Sequence, residues 1–320
     1  MSWKRLLLLD GALLGLAILA SRAALLLHEG VGHGLTALAL GADRIHLKLS
    51  YLGGGYVTSP GLSTSALGHS VHLLGGIGVN LLTGLIAWFV ARRMKRRGLG
   101  YAFLLMLAAG SVGQALFYLA NGFYYGEGDP QGFVGPRGDL ARYQWMWVLF
   151  VVPFAAAAGL AARGWLDFLA THAPVDTPRR RFAWTMATVA VVTAAYFALW
   201  ALTWDSRVDV TMRQQRVKTE IAREIQRRPP PPPPLPPAPP AQPVPPPPPA
   251  PPPVTEADVA SRIPPPIAAV TMLAAGLVGA GLVLWRAKPP PAKPSRLTPV
   301  RAVVPIVLAA AAIGCLALLK

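Results

Sequence analysis

"LLLHEGVGHGLTALALGA" runs from Leu25 to Ala42. Two histidines and a glutamate interrupt an apolar, glycine-spotted run, and the reading of that run decides the fold. In H-E-x-x-H the histidines are four apart, so both project from one helix face and can share a zinc ion. Here His28 and His33 are five apart, with Glu29 following the first. At about 100° per residue, five positions turn about 500°, so a regular α-helix splays the two rings by about 140°. Two local solutions are open. A π-type turn, with hydrogen bonds running i to i+5, restores a common face, and Gly30, Gly32 and Gly34 make such a distortion easy. Alternatively Glu29 and His33, four apart, face together and His28 stands behind them. The first solution is a specific expectation: a glycine-assisted bulge between Glu29 and His33.

The surroundings of this stretch are those of a membrane protein. The chain has 320 residues, 53% of them hydrophobic and only 14% charged, against about 25% charged in soluble domains. Its mean hydropathy is +0.43. A span needs about 20 mainly apolar residues. Candidates lie roughly at 5–27, 66–91, 99–123, 144–163, 183–204, 267–285 and 302–319. The expected fold is therefore an all-α polytopic membrane protein with about seven transmembrane helices. The net charge of +16 would point to nucleic acid in a soluble protein. Here the basic residues cluster between apolar runs: Lys4 and Arg5, then 92–97, then 179–181, then 286–301. All four clusters fall on one side if the spans alternate, which marks that side as cytoplasmic. Nucleic-acid binding is excluded on this reading. The expected location is the cell membrane, with the N-terminus cytoplasmic and the C-terminus extracytoplasmic. A cleaved signal peptide is the competing reading of Lys4, Arg5 and the apolar run up to Ala20; an uncleaved first span is preferred, with residues 28–42 continuing it as an interfacial or re-entrant helix. The only cysteine is Cys315, so any metal must be held mainly by His, Asp or Glu.

Between the first two spans, residues 43–64 alternate through Ile45, Leu47 and Leu49, turn at Gly53–Gly55 and resume with Tyr56–Val57. A small β-hairpin is expected there. The organisation expected is a membrane core at 1–143, two further spans at 144–204, an extracytoplasmic segment at 205–266 and a two-span hairpin at 267–320. Within the third segment, residues 206–228 read as an amphipathic surface helix. Residues 227–254 are nearly all proline, a semi-rigid polyproline II spacer. That arm reads first as a solvated stalk, and second as a contact for an extracytoplasmic partner with aromatic grooves.

Ionisable residues inside spans are expensive and point to function. His28, Glu29 and His33 end the first span. His69 and His72, in "GHSVHLLGG", begin the second. Glu127 and Asp129, in "YYGEGDPQGF", follow the third, and Asp139 comes soon after. Basic residues and hydropathy alone set the orientation, yet that orientation puts all of these at one face. Zinc hydrolases commonly use three protein ligands and leave a position for water. Each residue also has a plainer reading. Asp129 starts an Asp-Pro turn. His69 and His72 are interfacial residues on one helix face, although their spacing also suits a metal. Gly76 and Asn80 make a small-residue helix contact.

Three elements in order carry a resemblance: "HEGVGHGLTALALGA", "GGIGVNLL" and "GEGDPQGF". Over roughly residues 5–140 the chain resembles the site-2 protease-like intramembrane zinc metallopeptidases, in particular their smaller bacterial branch (peptidase family M50). The resemblance implies Zn2+ bound by His28, His33 and Asp129, with Glu29 as general base. It implies that Asn80, four residues after Gly76, helps hold the substrate or intermediate. It departs from the family in the extra residue of the His-Glu motif and in the lack of Leu-Asp-Gly around Asp129. His69, His72 and Asp139 are the alternative ligands. The implied substrate is a membrane-embedded or juxtamembrane helix of another protein in the lipid bilayer. The competing function is a non-catalytic module that keeps the fold, and with it a metal, as an adaptor, sensor or transporter-like unit.

Overall fold

The computed structural model describes residues 3–62, 65–125, 129–130, 143–172, 177–203, 267–286 and 299–318. They belong to one compact unit, Met1–Asp209 with Pro266–Lys320. The proline arm and the surface helix expected at 206–228 lie outside the described residues.

Helix α1 spans Trp3–Leu26 and runs on into a π-helical segment, Leu27–Leu35, and a short α2, Thr36–Ala39. Strands β1 (His46–Leu49) and β2 (Gly55–Thr58) follow. Then come α3 (Ala66–Arg93), α4 (Leu99–Tyr125), a 3-10 turn at Trp145–Phe150 that opens α5 (Val151–Leu169), α6 (Pro178–Leu202), α7 (Ile267–Arg286) and α8 (Pro299–Leu318). Six stretches among the described residues are long and apolar enough to cross a membrane: Leu7–Ala39, Leu67–Arg93, Leu99–Tyr125, Trp145–Leu169, Pro178–Leu202 and Ile267–Arg286. The seventh expected span falls in α8, whose qualifying apolar part, Arg301–Ile313, is shorter. Pro299, Arg301 and Pro305 occupy its first turns. The chain is thus a helical, membrane-type protein with six candidate spans and one small hairpin among the described residues.

Local chemistry sets the helix ends. Ser65 caps α3 by accepting the Gly68 N–H at 3.2 Å, which satisfies one orphan donor of the first turn. Thr177 does the same for α6 at Arg180, with Pro178 in the first helical position. α3 stops at Arg92 and Arg93.

Helix α1 lies at the centre of the packing. Its Leu9, Leu13 and Leu16 are buried with Ala91, Tyr101, Ala102, Leu105 and Phe168 from α3, α4 and α5. On another side Gly15 meets the α8 backbone so closely that a Cβ would stand 2.7 Å from the Pro305 carbonyl. Lipid tails are as apolar as leucine, so close packing at small residues has to hold such helices together.

The hairpin is antiparallel, pairing His46 with Thr58, Leu47 with Val57, Lys48 with Tyr56 and Leu49 with Gly55. Its loop is held from below. The Arg22 guanidinium donates to the carbonyls of Ser50 (3.1 Å), Leu52 (3.1 Å) and Gly53 (2.9 Å). The Tyr196 hydroxyl of α6 donates to the same Leu52 carbonyl at 3.0 Å. Leu52 itself is buried with Ile18 of α1 and Ala309 of α8. These contacts fix the hairpin beside the π-helical segment, where Gly55 faces the Glu29 side chain.

Candidate metal centre

The five-residue spacing in "HEGVGH" is resolved by the π-helix at Leu27–Leu35. Its i to i+5 hydrogen bonding stacks residues five apart, and the His28 and His33 rings stand 4.9 Å apart with their planes at 81°. Both histidines and Glu29 are buried. The expectation of a bulge between Glu29 and His33 is met, and the alternative with His28 turned behind is not what the chain adopts.

The partner face comes from α3. A Cβ on Gly32 would strike the Gly76 backbone, and one on Gly75 would strike the Gly32 carbonyl. Two glycine backbones therefore touch, which brings α3 directly against the π-segment. Gly76 also faces the imidazoles: a Cβ there would stand 2.7 Å from His28 Nε2 and would collide with His33 Nε2. A glycine at 76 is required because the two rings occupy the space of its missing side chain.

His33 has a partner on each ring nitrogen. Nδ1 lies 3.0 Å from the carbonyl oxygen of His72. A carbonyl only accepts, so Nδ1 is the donor of this pair and Nε2 is left for the other side of the ring. That Nε2 points at Asp129, 3.2 Å from Oδ2. Ligand atoms of His28, His33 and Asp129 all lie within 4.8 Å of one another, and the three residues form a group that can hold a metal ion. Glu29 lies close enough to interact electrostatically with both His33 and Asp129.

The donor set fits a divalent cation of the zinc type. Two imidazoles and one carboxylate are ordinary zinc ligands. His28 Nδ1 is buried without a hydrogen-bond partner, and the buried Asp129 Oδ2 faces His33 Nε2 at 3.2 Å; a cation among these groups would satisfy them together. Donors around a tetrahedral zinc stand about 3.4 Å apart, from bonds of about 2.0–2.2 Å. Closing a set already within 4.8 Å onto one ion needs side-chain movements on the order of 1 Å.

The other candidates divide. The His72 ring lies 5.3 Å from that of His33, outside the group of three, and the residue serves through its carbonyl. His69 is exposed on α3. Asp139 and Glu127 lie outside the described residues. Asn80 is fully buried, one helical turn beyond Gly76, and neither side-chain atom has a hydrogen-bond partner; it has no surface from which to meet a substrate in this conformation. Sequence reasoning missed Tyr118, whose ring stands edge-on to His28 with centroids 6.2 Å apart. A tyrosine in an apolar helix, eleven residues before Asp129, carries no local signal. Arg22 was also missed, although an arginine inside a span could have been singled out by the rule that flagged the histidines.

Comparison with protein-family models, with curated proteins and with solved structures finds no match to this chain.

Proposed function

We propose that this chain is an intramembrane zinc peptidase, similar in kind to the site-2 protease-like enzymes, that cuts a membrane-embedded or juxtamembrane helix of another protein. One observation carries the reading: a π-helix turns His28 and His33 onto one face and Asp129 meets them there. His28, His33 and Asp129 would hold the ion. Zinc in such a site polarises a peptide carbonyl and brings the pKa of a bound water to about 7.

The rest is the work of the chain's own groups. The His33 Nδ1–H is held by the His72 carbonyl, which fixes the ring plane and keeps Nε2 basic. Glu29 is close enough to interact electrostatically with His33 and Asp129, which supports its carboxylate as the group that would take a proton from water and return it to the leaving amine. Its burial limits bulk water near that proton. A helical substrate shields its own peptide carbonyls by hydrogen bonding, so it must open locally before it reaches these groups. The basic clusters at 92–97 and 179–181 support a cytoplasmic N-terminus, with the site at the extracytoplasmic end of the first span.

Purified protein tests this directly. Wild type is expected to cleave a set of labelled single-span peptides in micelles. Glu29→Gln is expected to retain its metal and lose cleavage by at least about 100-fold, the lower range for general-base catalysis. A Glu29→Gln protein that cleaves like wild type would contradict the mechanism. Metal retained with no cleavage by wild type would leave the non-catalytic, metal-binding module as the function.

A further inference from the structure

Asp129 reaches the histidines from a part of the chain far from either, so something must fix its backbone. Its neighbour Pro130 is buried and brings no N–H of its own. The Asp129 N–H is therefore the main-chain donor of this pair, and it donates to the Tyr118 hydroxyl at 3.2 Å. Tyr118 sits on α4. Its ring also meets the His28 imidazole edge-on, with centroids 6.2 Å apart and planes at 89°. One rigid side chain thus touches two of the three candidate ligands, which come from different elements.

We propose that Tyr118 is a positioning residue of the metal centre. Its hydroxyl holds the Asp129 backbone so that Oδ2 is presented to His33, and its ring sets the plane of the His28 imidazole. This rests on the metal reading given above. Tyrosine suits the task because a packed ring has few rotamers to lose, and its oxygen can accept an N–H at the ring's far end. Neighbours that orient metal ligands are commonly worth about 10–100-fold in metal affinity.

The test is zinc affinity, measured by chelator competition on full-length protein in detergent, with Co2+ absorption as a report on ligand geometry. Tyr118→Phe differs by one oxygen and keeps the ring against His28. It is expected to bind one zinc about 10-fold more weakly, with an altered cobalt spectrum and an unchanged Tm without metal. Tyr118→Leu loses ring and hydroxyl and should be weaker still; should it not fold, the Phe variant decides alone. Affinity and spectrum within twofold of wild type in Tyr118→Phe overturn the proposal while leaving the centre intact. A wild type that binds no zinc, or a His33→Ala variant that binds as well as wild type, gives a different pattern and overturns the metal reading together with this inference.

Discussion

The two ring nitrogens of His33 face the His72 carbonyl and Asp129, so His33→Ala removes a candidate ligand and a link between α3 and the π-segment together. Its expected result is loss of bound metal with the helical content retained, read by metal analysis and circular dichroism on one sample. Gly76→Ala probes the same place from the other side. The added methyl would stand 2.7 Å from His28 Nε2, forcing the rings outward. Zinc affinity should fall by at least about 10-fold, in the range of losses from disturbed ligand orientation; chelator competition measures it, and an unchanged affinity would show that the rings do not meet at Gly76. At this scale the sequence was legible where chemistry is rare in a membrane: His28, Glu29 and His33 stand out in an apolar run. Tyr118 and the His72 carbonyl did not, because a phenol in an aromatic-rich helix and a main-chain oxygen have no sequence signature.

The π-segment carries two of the three candidate ligands, with α3 packed against it and the hairpin beside it. The π-segment could be read in advance because five-residue spacing and three glycines leave few ways to align two rings. What could not be read was its partner, since a backbone contact between Gly32 and Gly76 joins residues 44 apart in sequence. Gly32→Ala puts a methyl against backbone that cannot rotate away. Overpacking of this kind costs about 1–3 kcal/mol, and the variant is expected to show a lower Tm and weaker zinc binding than wild type. The hairpin depends on Arg22, whose fork reaches three carbonyls. Lysine has one ammonium and no fork. Hydrogen bonds to a charged group contribute about 1.5–3 kcal/mol, so Arg22→Lys should speed amide exchange over residues 46–58 by about 30-fold. Exchange equal to wild type would mean that the hairpin is held by its own strand pairing.

Across the whole molecule, hydropathy located the helices well because membrane crossing imposes length and apolarity on each one. It did not show their arrangement. Helix α1 runs into the π-segment that carries the histidines and packs on α4, α6 and α8, so α6 and α8, which bring no side chain to the group of three, brace the helix that leads into it. Tyr196 of α6 reaching the hairpin loop is the clearest instance. Small residues make these contacts, as at Gly15 against Pro305 and Gly279 against Ala155, and small residues look alike in sequence whichever helix they meet. Orientation is testable at this scale. With Cys315 replaced by serine, Thr58→Cys should react with a membrane-impermeant maleimide from outside the cell and Arg92→Cys should not; the reverse pattern would invert the topology. On the proposed reading, a five-residue His spacing on a π-helix, joined by Asp129, makes one metal site. Metal analysis of purified wild type beside His28→Ala, His33→Ala and Asp129→Ala tests it most directly. One zinc per chain in wild type, lost or sharply reduced in each variant, is the predicted result; no metal in wild type, or a full complement in the variants, would contradict it.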